Sequence, residues 1–431
     1  MLENALEHFS ETLFRFLTGQ TSVKGLLVKK HADNLQTHGD FSFPSGSKSW
    51  NEYIDKSEHQ SAVTDIALLM LIGKTHDDIS EESKQWNLQV KHVKEEKGRV
   101  YMFLERPAAI SLGLSEAFKN NVFITLRLQE KFSAVRIDPL CEESNCLTSL
   151  RVKYLSKVIE NLCLIKFYNE KQLQEIYVTS KSSRTCTGHK VLCSTVLSAK
   201  TSKKEVEIKA DESRQNEMTR IAQHKYGIRV TTSSQWQEFI EHLGESAAAF
   251  ELLQIKPSSV VKINCDFMTG GISKGAAFIL YNCARLETIM RTYDDKVKQG
   301  IYPPLPEIDK VDFTLLTQED EWNLIFNYIM GFPSMLQSCF ETKDEKYEFR
   351  PHYICSFLCS MVRVFSQYYR KTRILVCCLL QKRSTGTRQA CRHTKSPAAL
   401  GDPRPRRPRA AGPLTTNWKK IGKSFNLFSI K

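Results

Sequence analysis

Residues 278–293, FILYNCARLETIMRTY, decide how this chain reads. They lie on a helix that starts at about Ala276, and Tyr281, Asn282 and Arg285 fall within about one turn of each other. A ring, an amide and a guanidinium therefore share one face. Downstream, Pro303, Pro304 and Pro306 break the chain, and Thr317 with Asp320 reads as a capping box before EWNLIFNYIM. Pro351 stands at an expected first helical position. Ile354, Leu358, Met361, Phe365 and Tyr368 then recur at four and three residues, the stripe of a helix buried along one face of a bundle. That helix closes with MVRVFSQYYRKTRIL, residues 361–375, whose end is the densest mixture of rings and cations in the body of the chain.

Upstream, residues 133–275 open with a strand-like AVRID, then a helix from about Leu147 to Leu162, then a strand-like LIKFY. This is the βαβ rhythm of parallel sheets. Residues 1–132 read as a small α+β module. Its first helix places Leu2, Leu6, Phe9, Leu13 and Phe16 on one face, with Gly19 where a C-cap belongs. GRVYMFL at 98–104 and NVFITLRL at 121–128 read as its strands. Acids interrupt each apolar stretch of the opening helix, which argues against a secretory signal. No apolar run approaches the roughly 20 residues of a transmembrane helix.

The net charge of +13 would suggest a nucleic-acid binder in bulk, but it is not spread evenly. From Lys382 onward there are 13 Lys and Arg against one acid, Asp402, whereas the preceding residues carry 48 against 47. Any RNA-binding face on the body must therefore come from local clustering. Residues 382–431, with DPRPRRPRAAGP and few apolar side chains, read as a disordered basic tail. Thirteen cysteines in irregular scatter fit a reducing compartment such as the cytoplasm, as mostly buried thiols.

FILYNCARLETIMRTY resembles the YYVQYAHAR segment with which arginyl-tRNA synthetases enter their anticodon-binding helical domain. MVRVFSQYYRKTRIL resembles the AFNSFYNxxRVL ending of the family's helices. LGESAAAFELLQ at 243–254 resembles the VGADAVRFFLL element that closes their catalytic domain, and HGDFSF at 38–43 with GRVYMFL echoes the HGDY and GFINF elements of their N-terminal domain. The chain is thus similar to the arginyl-tRNA synthetase family, and specifically to its non-catalytic branch with a DALR anticodon-binding domain. The fold this implies is multidomain, α/β plus all-α. A small α+β N-terminal module spans 1–132, a degenerate class I synthetase-like α/β segment 133–275, a truncated anticodon-binding helical bundle 276–381, and the tail 382–431. The departure from the family after Leu375 implies loss of the bundle's final helical layer. In the family, the N-terminal module touches the outer corner of the tRNA.

The family binds ATP phosphates through HVGHLRS at a helix start, where the helix dipole and two imidazoles face the anion. Here the pattern falls on CLTSLRV: Cys146 and Ser149 replace the histidines, Thr148 the glycine, and Leu150 and Arg151 match. Lys200, Thr201, Ser202 and Lys203 stand as a candidate for the second signature, KMSK, or as a solvated basic turn. Phosphate chemistry requires several preorganised groups at once, so half a site is expected to be inert. Cys186, His189 and Cys193 have metal-compatible spacing but lack a fourth ligand, and Gly270 with Gly271 near Lys274 reads as a turn. No metal, no cofactor and no catalytic residue is expected.

Anticodon loops are read as splayed strands by stacking on rings and guanidinium planes together with phosphate contacts. The candidate tRNA contacts are Tyr281, Asn282, Arg285, Arg363, Tyr369, Arg370, Lys371 and Arg373. Tyr368 continues the apolar stripe and belongs to the core. For Tyr281 and Arg285 two readings stand open, direct RNA contact or packing at the domain junction with Arg285 paired to a carboxylate. The resemblance implies a protein without catalysis that recognises arginine tRNAs and hands them to a methyltransferase making 3-methylcytidine in the anticodon loop. The rival is an ATP-dependent arginine-tRNA ligase using the 200–203 loop.

Overall fold

A computed structural model describes residues 2–21, 27–54, 66–132, 134–167, 175–181, 188–205, 234–263, 274–343, 346–372 and 374. Helix α1, Ala5–Thr18, is fixed at both ends by its own sequence. The Asn4 side chain accepts the Glu7 N–H, and Gly19, at φ 71°, turns the chain out while its N–H closes on the Arg15 carbonyl. Leu6, Phe9 and Leu13 are buried as expected, joined by Phe14 and Leu17, whereas Phe16 is half-exposed with the Lys74 ammonium over its ring.

Against α1 lies an antiparallel sheet of β1 (Lys29–Lys30), β2 (Phe41–Pro44), β3 (Val90–Glu96) and β4 (Arg99–Leu104), in the order β1-β2-β4-β3. Strand β4 alternates: Val100, Met102 and Leu104 point to the core, Arg99, Tyr101 and Phe103 away from it. Gly39, before β2, sits at φ 65°, and a Cβ there would lie 2.5 Å from the Met102 carbonyl oxygen, so only glycine fits.

Residues 121–128, expected as a strand, instead form the last turns of the long helix α2, Arg106–Arg127. The apolar positions that matter recur as Ile110, Leu114 and Ile124, at helical rather than alternating spacing. The local run of β-branched and aromatic residues is overridden by the helix's burial against the rest of the chain.

In the next segment β5 (Val135–Ile137) is followed by α3 (Leu147–Lys166) and pairs in parallel with β6 (Ile176–Thr179), which pairs in parallel with β7 (His189–Leu192). The βαβ rhythm holds, but its second strand is β6 and not LIKFY. Leu162, Cys163 and Leu164 are all buried within the continuing helix, which runs through the apolar stretch expected as strand. A second parallel pair joins β8 (Val196–Ser198) to β9 (Val261–Ile263), with helix α4 (Ser234–Leu253) between them in sequence.

The third segment begins with α5, Lys274–Lys298. Its capping box is one residue later than expected: Gln318 and Glu321, not Thr317 and Asp320, close the start of α6 (Glu319–Asn323). A π-helical turn, Leu324–Ile329, and α7 (Phe332–Ser338) follow. The all-helical expectation fails at an antiparallel hairpin, β10 (Phe340–Lys343) with β11 (Lys346–Phe349). The hairpin packs onto the α/β segment: Phe340 and Tyr347 stack edge-on with Phe167, and His189 Nε2 meets the Tyr347 carbonyl at 2.7 Å. Helix α8, His352–Lys371, follows with Pro351 as its N-cap, and the stripe Ile354, Leu358, Met361, Phe365 and Tyr368 is buried throughout.

One polar junction ties the N-terminal sheet to the third segment. Asp40 accepts the Trp322 indole N–H at 2.7 Å and the Leu104 N–H at 2.8 Å, and Lys30 donates to Asn327 at 2.6 Å. Burial pushes the Asp40 carboxyl up to about 6, against the pull of the two donors. Between its ordinary pKa near 4 and about pH 6, the unfolded chain releases this proton while the folded chain retains it. Asp40 by itself therefore contributes a fall in stability as pH rises across that window, of about 1–3 kcal/mol, while His31, held down to about 4 by burial, contributes in the opposite direction. Urea unfolding from pH 4 to 7 checks this: the stability of wild type minus that of Asp40→Asn should fall as pH rises, and a difference that stays constant with pH would contradict it.

Candidate nucleic-acid interface

Helices α5 and α8 pack against each other, and Arg285 of α5 meets Tyr369 and Ser366 of α8 along that seam. Arg285, half-buried on α5, is its centre. The guanidinium carbon lies 4.6 Å from the Tyr281 ring centroid and 4.4 Å from that of Tyr369 on α8. Its Nη2 donates to the Tyr281 hydroxyl at 2.7 Å, and Nη1 donates to Asn282 Oδ1 at 3.3 Å and Ser366 Oγ at 3.4 Å. Among the described residues no carboxylate pairs with Arg285. Of the two open readings, the carboxylate-paired form is therefore not the one observed. The guanidinium plane is held by two rings and three polar atoms, and Tyr281 keeps 47% of its surface exposed beside it.

Asn282 does not share that exposed face. It is fully buried, its amide donating to the Phe278 carbonyl at 2.8 Å while its oxygen takes Arg285. A residue one position along a helix turns by about 100°, enough here to carry the amide inward. Asn282 orients Arg285 and is removed from the candidate RNA contacts. Ser366, which sequence reasoning missed, does the same from α8. Its signal was a small polar residue between the core positions Phe365 and Tyr368, where it faces the neighbouring helix.

Arg363 and Arg370 are exposed on α8 seven residues apart, which is two turns or about 10 Å along the axis. Lys371, also exposed, is engaged by Asp320 of α6 at 2.6 Å. Arg373 lies outside the described residues. Around Arg285 the arrangement offers an open ring next to a fixed guanidinium, flanked by cations. Such groups stack unpaired bases and hold phosphates.

The side chains of residues 146–151 are engaged within the fold. Cys146 caps α3 without a side-chain bond to the helix backbone, and its thiol lies 3.3 Å from Ser149 Oγ. Thr148 is buried with its hydroxyl accepting the Val196 N–H at 3.1 Å. Arg151, fully buried, directs all five N–H groups at carbonyls: Leu252, Ser194 and Ser259 at 2.8–2.9 Å, Lys256 at 3.1 Å and Ile255 at 3.3 Å. Three of these acceptors belong to the end of α4 and the residues after it, so Arg151 caps that helix's negative end. Residues 200–203 form an exposed turn after β8, with Ser202 at φ 53° and Ser198 N–H on the Lys203 carbonyl. Among the described residues no cluster of His, Cys, Asp or Glu has metal-holding geometry, and the eight cysteines they contain are free thiols. His189 is spent on Tyr347 and Cys193 is buried; Cys186, Gly270 and Gly271 lie outside the described residues. Among the described residues no helix is long and apolar enough to cross a membrane.

Residues 279–378 match the family model for the DALR anticodon binding domain. That segment is similar to a DALR anticodon binding domain, and about a third of the chain is similar in sequence to proteins that carry one. It is similar to DALR anticodon-binding domain-containing protein 3 of Danio rerio, 32% identical over 170 residues that make up 38% of this chain and 30% of that protein. The corresponding Rattus norvegicus protein is 30% identical over 165 residues, 38% of this chain and 31% of that one. The arginine–tRNA ligase of Syntrophotalea carbinolica is 28% identical over 141 residues, 32% of this chain and 23% of the ligase. The matches thus span about a third of the length of these relatives or less. The Thermus thermophilus arginyl-tRNA synthetase structure aligns over 99% of both chains at 10% identity with a TM-score of 0.49, a likeness too low to carry an inference. Within the DALR match lie the seven remaining candidate contacts from Tyr281 to Arg373, together with the buried Asn282 and the Arg285 seam.

Proposed function

We propose that this chain is a non-catalytic tRNA-binding protein that recognises arginine tRNAs through the α5–α8 face of its DALR domain. On this reading it presents the anticodon loop to a methyltransferase that makes 3-methylcytidine. The observation that carries the RNA half of the proposal is the Arg285 guanidinium fixed between Tyr281 and Tyr369 on the exposed seam. Arginine identity is supported by similarity to an arginine–tRNA ligase, and the methyltransferase by the family resemblance. The free thiols agree with a cytoplasmic setting. The division into a module at 1–132, an α/β segment at 133–275, a helical domain at 276–381 and a tail at 382–431 is retained as part of the proposal.

The ligase reading is disfavoured by two positive features of the vestigial site. Thr148 spends its hydroxyl on the backbone of β8, and Arg151 spends every donor on carbonyls, so neither side chain is available to an adenylate. An ATP- and arginine-dependent charging assay tests this; acceptance that disappears in Lys203→Ala would restore the ligase.

Sequencing the RNA that copurifies with the full chain should return arginine tRNAs enriched over other acceptors, and recovery in proportion to cellular abundance would sink the specificity claim. With a defined arginine tRNA, Arg370→Ala should weaken binding and lower the slope of log affinity against log salt by about one contact, roughly 0.7–0.9. An unchanged slope would put the phosphate contacts elsewhere.

A further inference from the structure

Three consecutive acids, Glu319, Asp320 and Glu321, open α6, and each is tied to a different group. Glu319 pairs with Arg106 of α2. Glu321, buried, accepts the Gln318 N–H that closes the capping box and the Tyr368 hydroxyl of α8. Both therefore hold the fold together. Asp320 has no part in the capping box, and its bond goes outward to Lys371 Nζ at 2.6 Å, where the lysine side chain is 65% exposed. An ion pair that open to water adds little to folding. Its effect falls on the last turn of α8, where Arg370 and Lys371 stand side by side and Arg370 has no partner among the described residues.

A carboxylate 2.6 Å from an ammonium uses the same geometry a phosphate oxygen would use. We propose that Asp320 occupies Lys371 in the RNA-free protein as an internal stand-in for an RNA phosphate, so that tRNA binds by exchanging phosphate for carboxylate at this cation. The inference rests on the tRNA-binding reading and adds a selectivity device to it. With Lys371 neutralised from within, a lone phosphate or a non-specific strand gains little there. Only an RNA already anchored on the Tyr281–Arg285–Tyr369 seam holds a phosphate at Lys371 long enough to displace Asp320. A carboxylate released beside the RNA also opposes binding by like-charge repulsion, so Asp320 lowers affinity for every polyanion and lowers it most for those without a second anchor.

The test uses the full chain as wild type, Asp320→Asn, Lys371→Ala and the double variant, with binding to a defined arginine tRNA transcript and to an unstructured single-stranded RNA at about 50–200 mM salt. Asp320→Asn should tighten both about two- to tenfold, the single strand more, and steepen the salt slope by about one contact, roughly 0.7–0.9. In the Lys371→Ala background the same change should tighten binding clearly less and leave the salt slope unchanged, since only the repulsion by the freed carboxylate is then relieved. Equal tightening in both backgrounds would show mere removal of a negative charge and overturn the exchange, as would no tightening at all. Asp320→Ser, which also leaves the Gln318–Glu321 cap intact, guards against a peculiarity of one substitution. If wild type fails to bind the transcript, the tRNA-binding reading itself falls; if it binds and Asp320→Asn gains nothing, only the exchange does.

Discussion

Arg285→Ala should weaken binding of arginine tRNA about 10- to 100-fold, the worth of one base stack, about 1–3 kcal/mol. The loss comes from three sources. The guanidinium no longer stands beside the exposed Tyr281 ring, the Tyr281 hydroxyl loses its donor, and Tyr369 loses the plane that fixes it across the seam. Arg285→Lys separates stacking from charge. A flexible ammonium cannot reproduce a planar fork that contacts two rings and three oxygens at once, so the lysine variant should bind nearly as poorly as the alanine one. Lysine binding like wild type would mean that Arg285 acts as a point charge towards phosphate, and the stacking account would fail. Both variants should keep a cooperative thermal transition, because the seam is half-exposed and the α8 stripe below it is untouched.

Arg151→Ala should be the most damaging single change in the α/β segment, costing about 3–5 kcal/mol of stability. The side chain is fully buried, and its five donors satisfy carbonyls of Ser194, Leu252, Ile255, Lys256 and Ser259. Removing it deprives these carbonyls of the guanidinium, although the Lys256 oxygen keeps the Ser259 N–H at 2.9 Å, and opens a void between the start of α3 and the end of α4. Lysine offers three donors where five are used and should recover only part of the loss. Thermal unfolding followed by circular dichroism reads the effect directly; a melting temperature within about 2 °C of wild type would show that water replaces the guanidinium without cost, contrary to the usual penalty for unpaired buried carbonyls.

Arg151 also shows how far the sequence carried. Its match to the family pattern pointed to a nucleotide site, and the substitutions at Cys146, Thr148 and Ser149 pointed to the loss of that site. Neither showed that the retained arginine is a cap on α4, because its carbonyl partners lie 43 to 108 residues away in sequence. The α8 stripe was legible for the opposite reason. Its five residues report a single local period, and one helix buries them all. The Gly19 cap and the alternation of β4 were equally local. Residues 121–128 misled because strand-forming side chains occur in a long helix whose packing decides their state, and the 340–349 hairpin was missed because it is short and its rings pack on a distant strand.

The sequence by itself determined which segment of this chain resembles a DALR anticodon binding domain. The run 278–293 and the helix ending at 361–371 identify the anticodon-binding segment, since the rings, cations and apolar period that define it are carried by the residues themselves. Which of those residues face solvent was decided only by tertiary packing. One step along α5 separates the exposed Tyr281 from the fully buried Asn282, and contact with another helix gives Ser366 to Arg285 and Asp320 to Lys371. Helical periodicity sets the direction of a side chain relative to its own axis, and only the neighbouring helix determines whether that direction leads to solvent, to a ring or to a carboxylate.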